Sequence, residues 1–153
     1  MTLEEIADQM ISHAVKIYSE GNNKTEVIPL IHAETTSGKA IAIVAPWDSV
    51  DAKDACLEML KRFFLQKNVA RYGLMSEAWM AYYNEGDDFT KRRPSQREDR
   101  IEVINIVVVD STGNSLHRSY EIDRDDTGKP SVGKQITLPE GYATGSLLEL
   151  LGR

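Results

Sequence analysis

The residues of this chain best suited to chemistry lie between Ser76 and Glu102. In Ser76-Glu77-Ala78-Trp79-Met80 a carboxylate and an indole stand two positions apart, so in an extended chain they share one face. A charged connection follows, with Arg93, Arg97 and Arg100 along it and Asp99 and Glu102 at its far end. A carboxylate on a covered sheet face is costly unless it is paired. An arginine fork can pair it while stacking its plane on the indole. The expected arrangement therefore has Glu77 accepting from one of the three arginines, with Trp79 as the floor of the contact and the connection pinned over the sheet. The same residues allow a second chemistry, in which Glu77, Asp99 and Glu102 hold magnesium while Arg93 and Arg100 clamp a phosphate.

Other motifs carry less. His32-Ala33-Glu34 resembles the opening of a zinc deaminase signature, but that chemistry needs two further cysteines near a helix start and the chain has only Cys56. His13, His32 and His117 lack ligand spacing, and no HExxH, CxxC or EF-hand pattern is present. No bound metal and no cofactor is expected. Asp87-Asp88 and Glu98-Asp99 lie among Lys91, Arg92, Arg93, Arg97 and Arg100, where mutual ion pairing explains them. Cys56 falls on the apolar stripe of a helix and reads as inert core. Phosphate-cradling glycine loops and the GxSxG elbow are missing from the sequence.

At 153 residues, 41% hydrophobic and 27% charged, the chain has the size and composition of one ordinary domain spanning 1–153. A single cysteine allows no disulfide within the chain. No run approaches the roughly 18 apolar residues of a membrane helix. Glu4, Glu5 and Asp8 are acidic where a signal peptide is basic, so a cytoplasmic location is expected. A net charge of −6 opposes broad nucleic-acid binding, which neutralises phosphates. The acids are mixed with 18 lysines and arginines, a poor design for a nucleic-acid mimic.

The elements that must position these residues follow from periodicity. Thr2 and Glu5 form a capping box ahead of a helical stripe of Leu3, Ile6, Ala7, Met10, Ala14 and Ile17. Segments 26–35 and 39–45 read as a hairpin around Thr36-Ser37-Gly38. Pro29 predicts that the first of them is an edge strand or carries a bulge. Asp48 or Ser49 caps a second helix, with Ala52, Ala55, Cys56, Met59, Leu60 and Phe63 as its expected core stripe. Segment 68–83 is a strand apolar on both faces. Segment 101–109, β-branched at most positions, reads as a central strand. A hairpin turn at 110–114 leads to an alternating strand at 116–122. Segments 84–99 and 123–134 read as polar loops, 135–138 as a short strand and 146–151 as a short helix.

The wording Ser76-Glu77-Ala78-Trp79-Met80, then Arg93-Pro94-Ser95, then Asp99-Arg100 and Glu102, is similar to a pattern in small, uncharacterised bacterial, archaeal and phage-borne proteins. The Ala45-Pro46-Trp47 turn fits it as well, and the resemblance covers about 40–110. It implies an association with phage or prophage and carries no assigned chemistry. Gln96-Arg97-Glu98 stands where that family often has an acidic, proline-containing stretch.

The expected fold is α+β and two-layered: an antiparallel-rich mixed sheet of five or six strands with both main helices on one face. The uncovered face then calls for the long loop, the C-terminal segment or a second subunit. A non-enzymatic interaction protein is the favoured reading, with a homodimer or a protein partner expected and neither membrane nor nucleic acid. A metal-dependent enzyme or a binding protein for a phosphorylated or nucleic-acid ligand is the alternative.

Overall fold

Thr2 opens the first helix, α1 (Leu3–Glu20). Its hydroxyl accepts the Glu5 N–H at 3.1 Å, and the Glu5 carboxylate accepts the Thr2 N–H at 2.8 Å, so two otherwise orphaned donors are satisfied reciprocally. The buried stripe is Ile6, Ala7, Met10, Ala14 and Tyr18. The chain continues through β1 (Leu30–Thr35), β2 (Ala40–Val44), α2 (Val50–Gln66), β3 (Val69–Met80), β4 (Ile101–Asp110), β5 (Ser115–Arg124) and β6 (Pro130–Ile136). The structure is a computed structural model and describes residues 1–45, 50–80 and 98–136. The expected caps Asp48 and Ser49, the loop residues 84–97 and the helix at 146–151 lie outside the described residues.

The six strands form one open sheet in the order β2-β1-β3-β4-β5-β6, and every neighbouring pair is antiparallel. The α+β class expected from the sequence is therefore observed. β3 and β4 pair from Arg71 opposite Asp110 to Met80 opposite Ile101. Gly73, Met75, Glu77 and Trp79 face one way along β3, while Tyr72, Leu74, Ser76 and Ala78 face the other.

Both faces carry a helix, which corrects the expectation of two helices on one side. α1 packs with Met75, Ile104, Ile106, Val108 and Ile122. Leu57, Leu60 and Phe64 of α2 pack with Ile31, Ala33, Tyr72 and Leu74 on the opposite face. The reason is topological. β2 and β3 both run antiparallel to β1 between them, so α2 is a crossover that must pass over β1 on one side, and α1 holds the other. The buried stripe of α2 is also rotated from the expected one. Ala52, Ala55 and Met59 are exposed, and Cys56 and Phe63 are half-buried.

Pro29 does not mark an edge, as β1 is interior and begins one residue later. The proline's carbonyl still accepts the Ala45 N–H at 2.8 Å. Asn68, expected to begin the third strand, closes α2 instead with φ of 54°, the left-handed residue that asparagine tolerates at a helix end.

The three hairpins share one turn chemistry, in Thr35-Thr36-Ser37-Gly38-Lys39, Asp110-Ser111-Thr112-Gly113-Asn114 and Asp125-Asp126-Thr127-Gly128-Lys129. In each, the first side chain accepts the N–H of the fifth residue at 3.0 Å. The glycine takes a positive φ of 85°, 106° or 84°, the geometry of a three-residue hairpin loop closed by a glycine bulge. The third turn corrects the reading of 123–134 as a loop, because β5 runs to Arg124 and β6 starts at Pro130. Hydroxyl and carboxylate groups that look like loop polarity in the sequence are the acceptors that close the turn.

Two glycine substitutions separate backbone from steric constraint. A methyl on Gly38 would meet nothing within 4 Å, so Gly38→Ala should cost about 1–2 kcal/mol through its left-handed backbone alone. Gly73 lies under α1, where an added Cβ would come 2.6 Å from Met10 Sδ and 3.1 Å from Ile6 Cγ2. Gly73→Val should cost about 1–3 kcal/mol by lifting the helix. Urea unfolding of the two variants measures both costs.

Candidate functional site

Glu77 sits on β3 beneath the C-terminal turn of α1. One carboxylate oxygen, Oε1, accepts both the Tyr18 hydroxyl and, at 2.8 Å, the backbone N–H of Val27. Among the described residues its partners are thus a phenol from α1 and a peptide group from the segment leading into β1; two of the three arginines expected to pair with it, Arg93 and Arg97, lie outside those residues. Burial, then the hydrogen bond to Glu77, then the Glu77 charge raise Tyr18 far above the usual phenol range. Tyr18 extends the stripe from Ala14 by one helical step, the one signal in the sequence that could have found it. Val27 contributes through its backbone, which no residue type announces.

Trp79 and Glu102 stand directly opposite each other in the β3–β4 ladder. The Arg100 guanidinium lies 4.4 Å from the Trp79 ring centroid, so the stacking of an arginine on this indole is observed. Trp79 remains 43% exposed. Glu102 is gripped by a fork from β5: Arg124 Nε donates to Oε2 at 2.7 Å and Nη2 to Oε1 at 2.9 Å. Arg124 Nη1 also donates to the Gly128 carbonyl at 2.9 Å, tying the β5–β6 turn to the same acid. This hydrogen bond to Glu102 leads the causes that raise the Arg124 guanidinium further above its usual range.

Trp79, Glu98, Arg100, Ile101, Glu102 and Ile122 line an open cleft of about 710 Å³ at this end of the sheet. Of the residues singled out in the sequence, Glu77, Trp79, Arg100 and Glu102 meet on or beside one sheet face, and Asp99 occupies the exposed turn just before β4. Arg93 and Arg97 lie outside the described residues. Arg124, absent from the expected set, is the arginine that holds Glu102.

Other buried polar groups lie elsewhere. Glu34 Oε1 accepts from the Met1 ammonium at 3.3 Å and from Arg71 Nη1 at 3.0 Å. Both ring nitrogens of His117 are buried without a hydrogen-bond partner among the described residues, and burial holds its pKa below the ordinary histidine value. Among the described residues no group of three or more His, Cys, Asp or Glu converges as a metal site. Nor is any helix there long and apolar enough to cross a membrane.

Fold and cleft together define an α+β protein with an open six-stranded antiparallel sheet and an aromatic-cationic rim at one end. No protein family, no curated protein and no solved structure matches the chain.

The Glu77 contact makes an alkaline prediction. The unfolded Tyr18 ionises at about pH 10 and the folded one only well above it. Its stabilisation is therefore complete below that pH and is lost as pH rises through it, since the unfolded chain releases the proton first. Tyr18→Phe should cost about 1.5–3 kcal/mol at neutral pH, the scale of a hydrogen bond to a charged group. It should also flatten the fall in stability above pH 10. Thermal melts of both proteins across the alkaline range read out the two effects.

Proposed function

We propose that this chain is a non-enzymatic interaction protein of the cytoplasm, associated with phage or prophage, whose residues 1–153 act as one domain. Its partner-binding region is the rim formed by Trp79, Arg100 and Glu102, with Glu77 beneath it and Arg93, Arg97 and Asp99 contributed by the connection between β3 and β4. The observation that carries this reading is the half-exposed indole of Trp79 under the Arg100 guanidinium. Tryptophan and arginine are the side chains that most often anchor protein interfaces, since each brings a large apolar surface with directional polar groups. The acids at the rim support binding over catalysis. Glu77 is engaged by Tyr18 and Val27, and Glu102 by the Arg124 fork. Partners of this kind support structural roles for the two carboxylates.

The test compares proteins captured from the native host by wild type, Trp79→Ala and Arg100→Ala. Both substitutions are at solvent-facing positions, so circular dichroism should be unchanged. A specific partner should be retained by wild type and reduced at least ~10-fold by Trp79→Ala, the loss of a hot spot worth about 1.4 kcal/mol or more. Equal capture by all three proteins removes the reading. A melting shift with magnesium and nucleotide, about 2.7 kcal/mol at a hundredfold excess over the dissociation constant, would instead establish the phosphorylated-ligand alternative.

A further inference from the structure

At one edge of the sheet, β2 is Ala-Ile-Ala-Ile-Val, with no charged side chain along it. No strand lies on its outer side among the described residues. Natural sheets commonly guard such edges with charge, proline or a bulge, because the unpaired peptide groups template another strand. The hydrogen bonds show which groups are left over. Ala45 N donates to the Pro29 carbonyl at 2.8 Å, and Thr35 N donates to the Lys39 carbonyl at 2.8 Å. Residues 39, 41, 43 and 45 therefore turn their peptide groups toward β1. Ala40, Ala42 and Val44 alternate with them and turn theirs outward, and all three are exposed.

Beside this edge runs an apolar groove of about 510 Å³ between β2 and α2, lined by Ile43, Val44, Cys56, Met59, Leu60 and Phe63 among others. Cys56, Met59 and Phe63 lie at helical spacing beside the stripe that α2 buries in the core. Met59, near the helix midpoint, is 70% exposed. The charges along α2 are polarised. Residues 50–58 carry Asp51, Asp54 and Glu58 against a single Lys53, while 59–66 carry Lys61 and Arg62 and no acid.

We propose that this chain forms a homodimer in which β2 pairs antiparallel with β2 of a second copy, and the two α2 helices pack along Cys56, Met59 and Phe63 about the same twofold axis. The inference rests on the interaction-protein reading and supplies one partner, a second copy. An axis through Ala42 sets Ala42 against itself and Ala40 against Val44, and residues whose groups point outward then exchange both hydrogen bonds across the seam. A twofold axis perpendicular to the sheet keeps both α2 helices on one face and makes them antiparallel. The acidic half of each then meets the basic half of the other, a complementarity that a parallel arrangement would turn into repulsion. The interface is isologous, so it closes at two subunits and leaves no β2 edge for further growth.

The experiment is light scattering after size exclusion on the full chain over a dilution series, with Met59→Lys and Ala42→Pro. Wild type should run at about 34 kDa, twice the 17.2 kDa chain, and dissociate on dilution. Met59→Lys places like charges beside the axis at an exposed helix position, and Ala42→Pro removes an outward donor without touching the bonds to β1. Each should raise the dissociation constant at least ~10-fold with an unchanged circular dichroism spectrum, and Met59→Lys alone decides the matter if the proline variant does not fold. Alkylation of Cys56, the sole thiol, should slow as wild-type concentration rises. A wild type that stays monomeric throughout overturns the proposal. So does a dimer that both variants leave intact. A monomer whose Cys56 is protected at every dilution also overturns it, and assigns the groove to the chain's own 137–153 stretch with its Leu147, Leu148, Leu150 and Leu151. Partner capture through Trp79 is read on β3, two strands in from the β2 edge, so either proposal can fail while the other stands.

Discussion

Everything else in this structure hangs on the long antiparallel pairing of β3 with β4. It runs without a register break from Arg71 opposite Asp110 to Met80 opposite Ile101, and it is apolar on both sides. Met75, Ile104, Ile106 and Val108 give α1 its floor, while Tyr72, Leu74 and Val109 give α2 its own. A one-residue slip would exchange these two sets and expose both helices' docking surfaces at once. That double penalty holds the register without help from the connection between the strands.

The polar groups at the rim are anchored from outside the pair they appear to belong to. Glu77 ties β3 to α1 through Tyr18 and to the approach to β1 through the Val27 peptide. Glu102 ties β4 to β5 and to the next turn through Arg124. Each acid therefore joins elements remote in sequence. Trp79 shares the sheet face of these two anchored acids, and much of its ring stays in contact with solvent.

The two edges of the sheet are treated differently. Near β6, Lys134 approaches Glu121 at 3.9 Å and Arg124 bonds the Gly128 carbonyl, so charge and side-chain bonds occupy that margin. β2 carries only alanine, isoleucine and valine. The contrast is physical: a charged margin resists further strand pairing, while an apolar one invites it. The stripe of Ala52, Cys56, Met59 and Phe63, which reads as core in the sequence, lies along that apolar margin. Periodicity identifies an apolar helix face without saying what covers it, and α2 has apolar residues over a wider arc than the sheet alone can bury.

Local rules determined a good deal of this protein from sequence alone. The capping box at Thr2 and Glu5, both helices, the strands on either side of the long connection and two of the three hairpin turns follow from interactions within a few residues. The α+β class follows from their order. The third turn was legible in principle, because Asp125-Asp126-Thr127-Gly128-Lys129 repeats the chemistry of the turn at Asp110. The stacking of Arg100 on Trp79 was legible too, since the arginine precedes the strand that pairs with the indole's own. What only the tertiary structure decided is the side of the sheet each helix takes and the partner each charge finds. The position of α2 depends on β2 and β3 lying either side of β1, a fact about strand order that no periodicity encodes. The partners of Glu77 come from residues 59 and 50 positions away, one of them a peptide group. Such pairings are chosen by which surfaces the fold presses together, and nothing in the sequence near Glu77 announces a phenol or a peptide group so far along the chain.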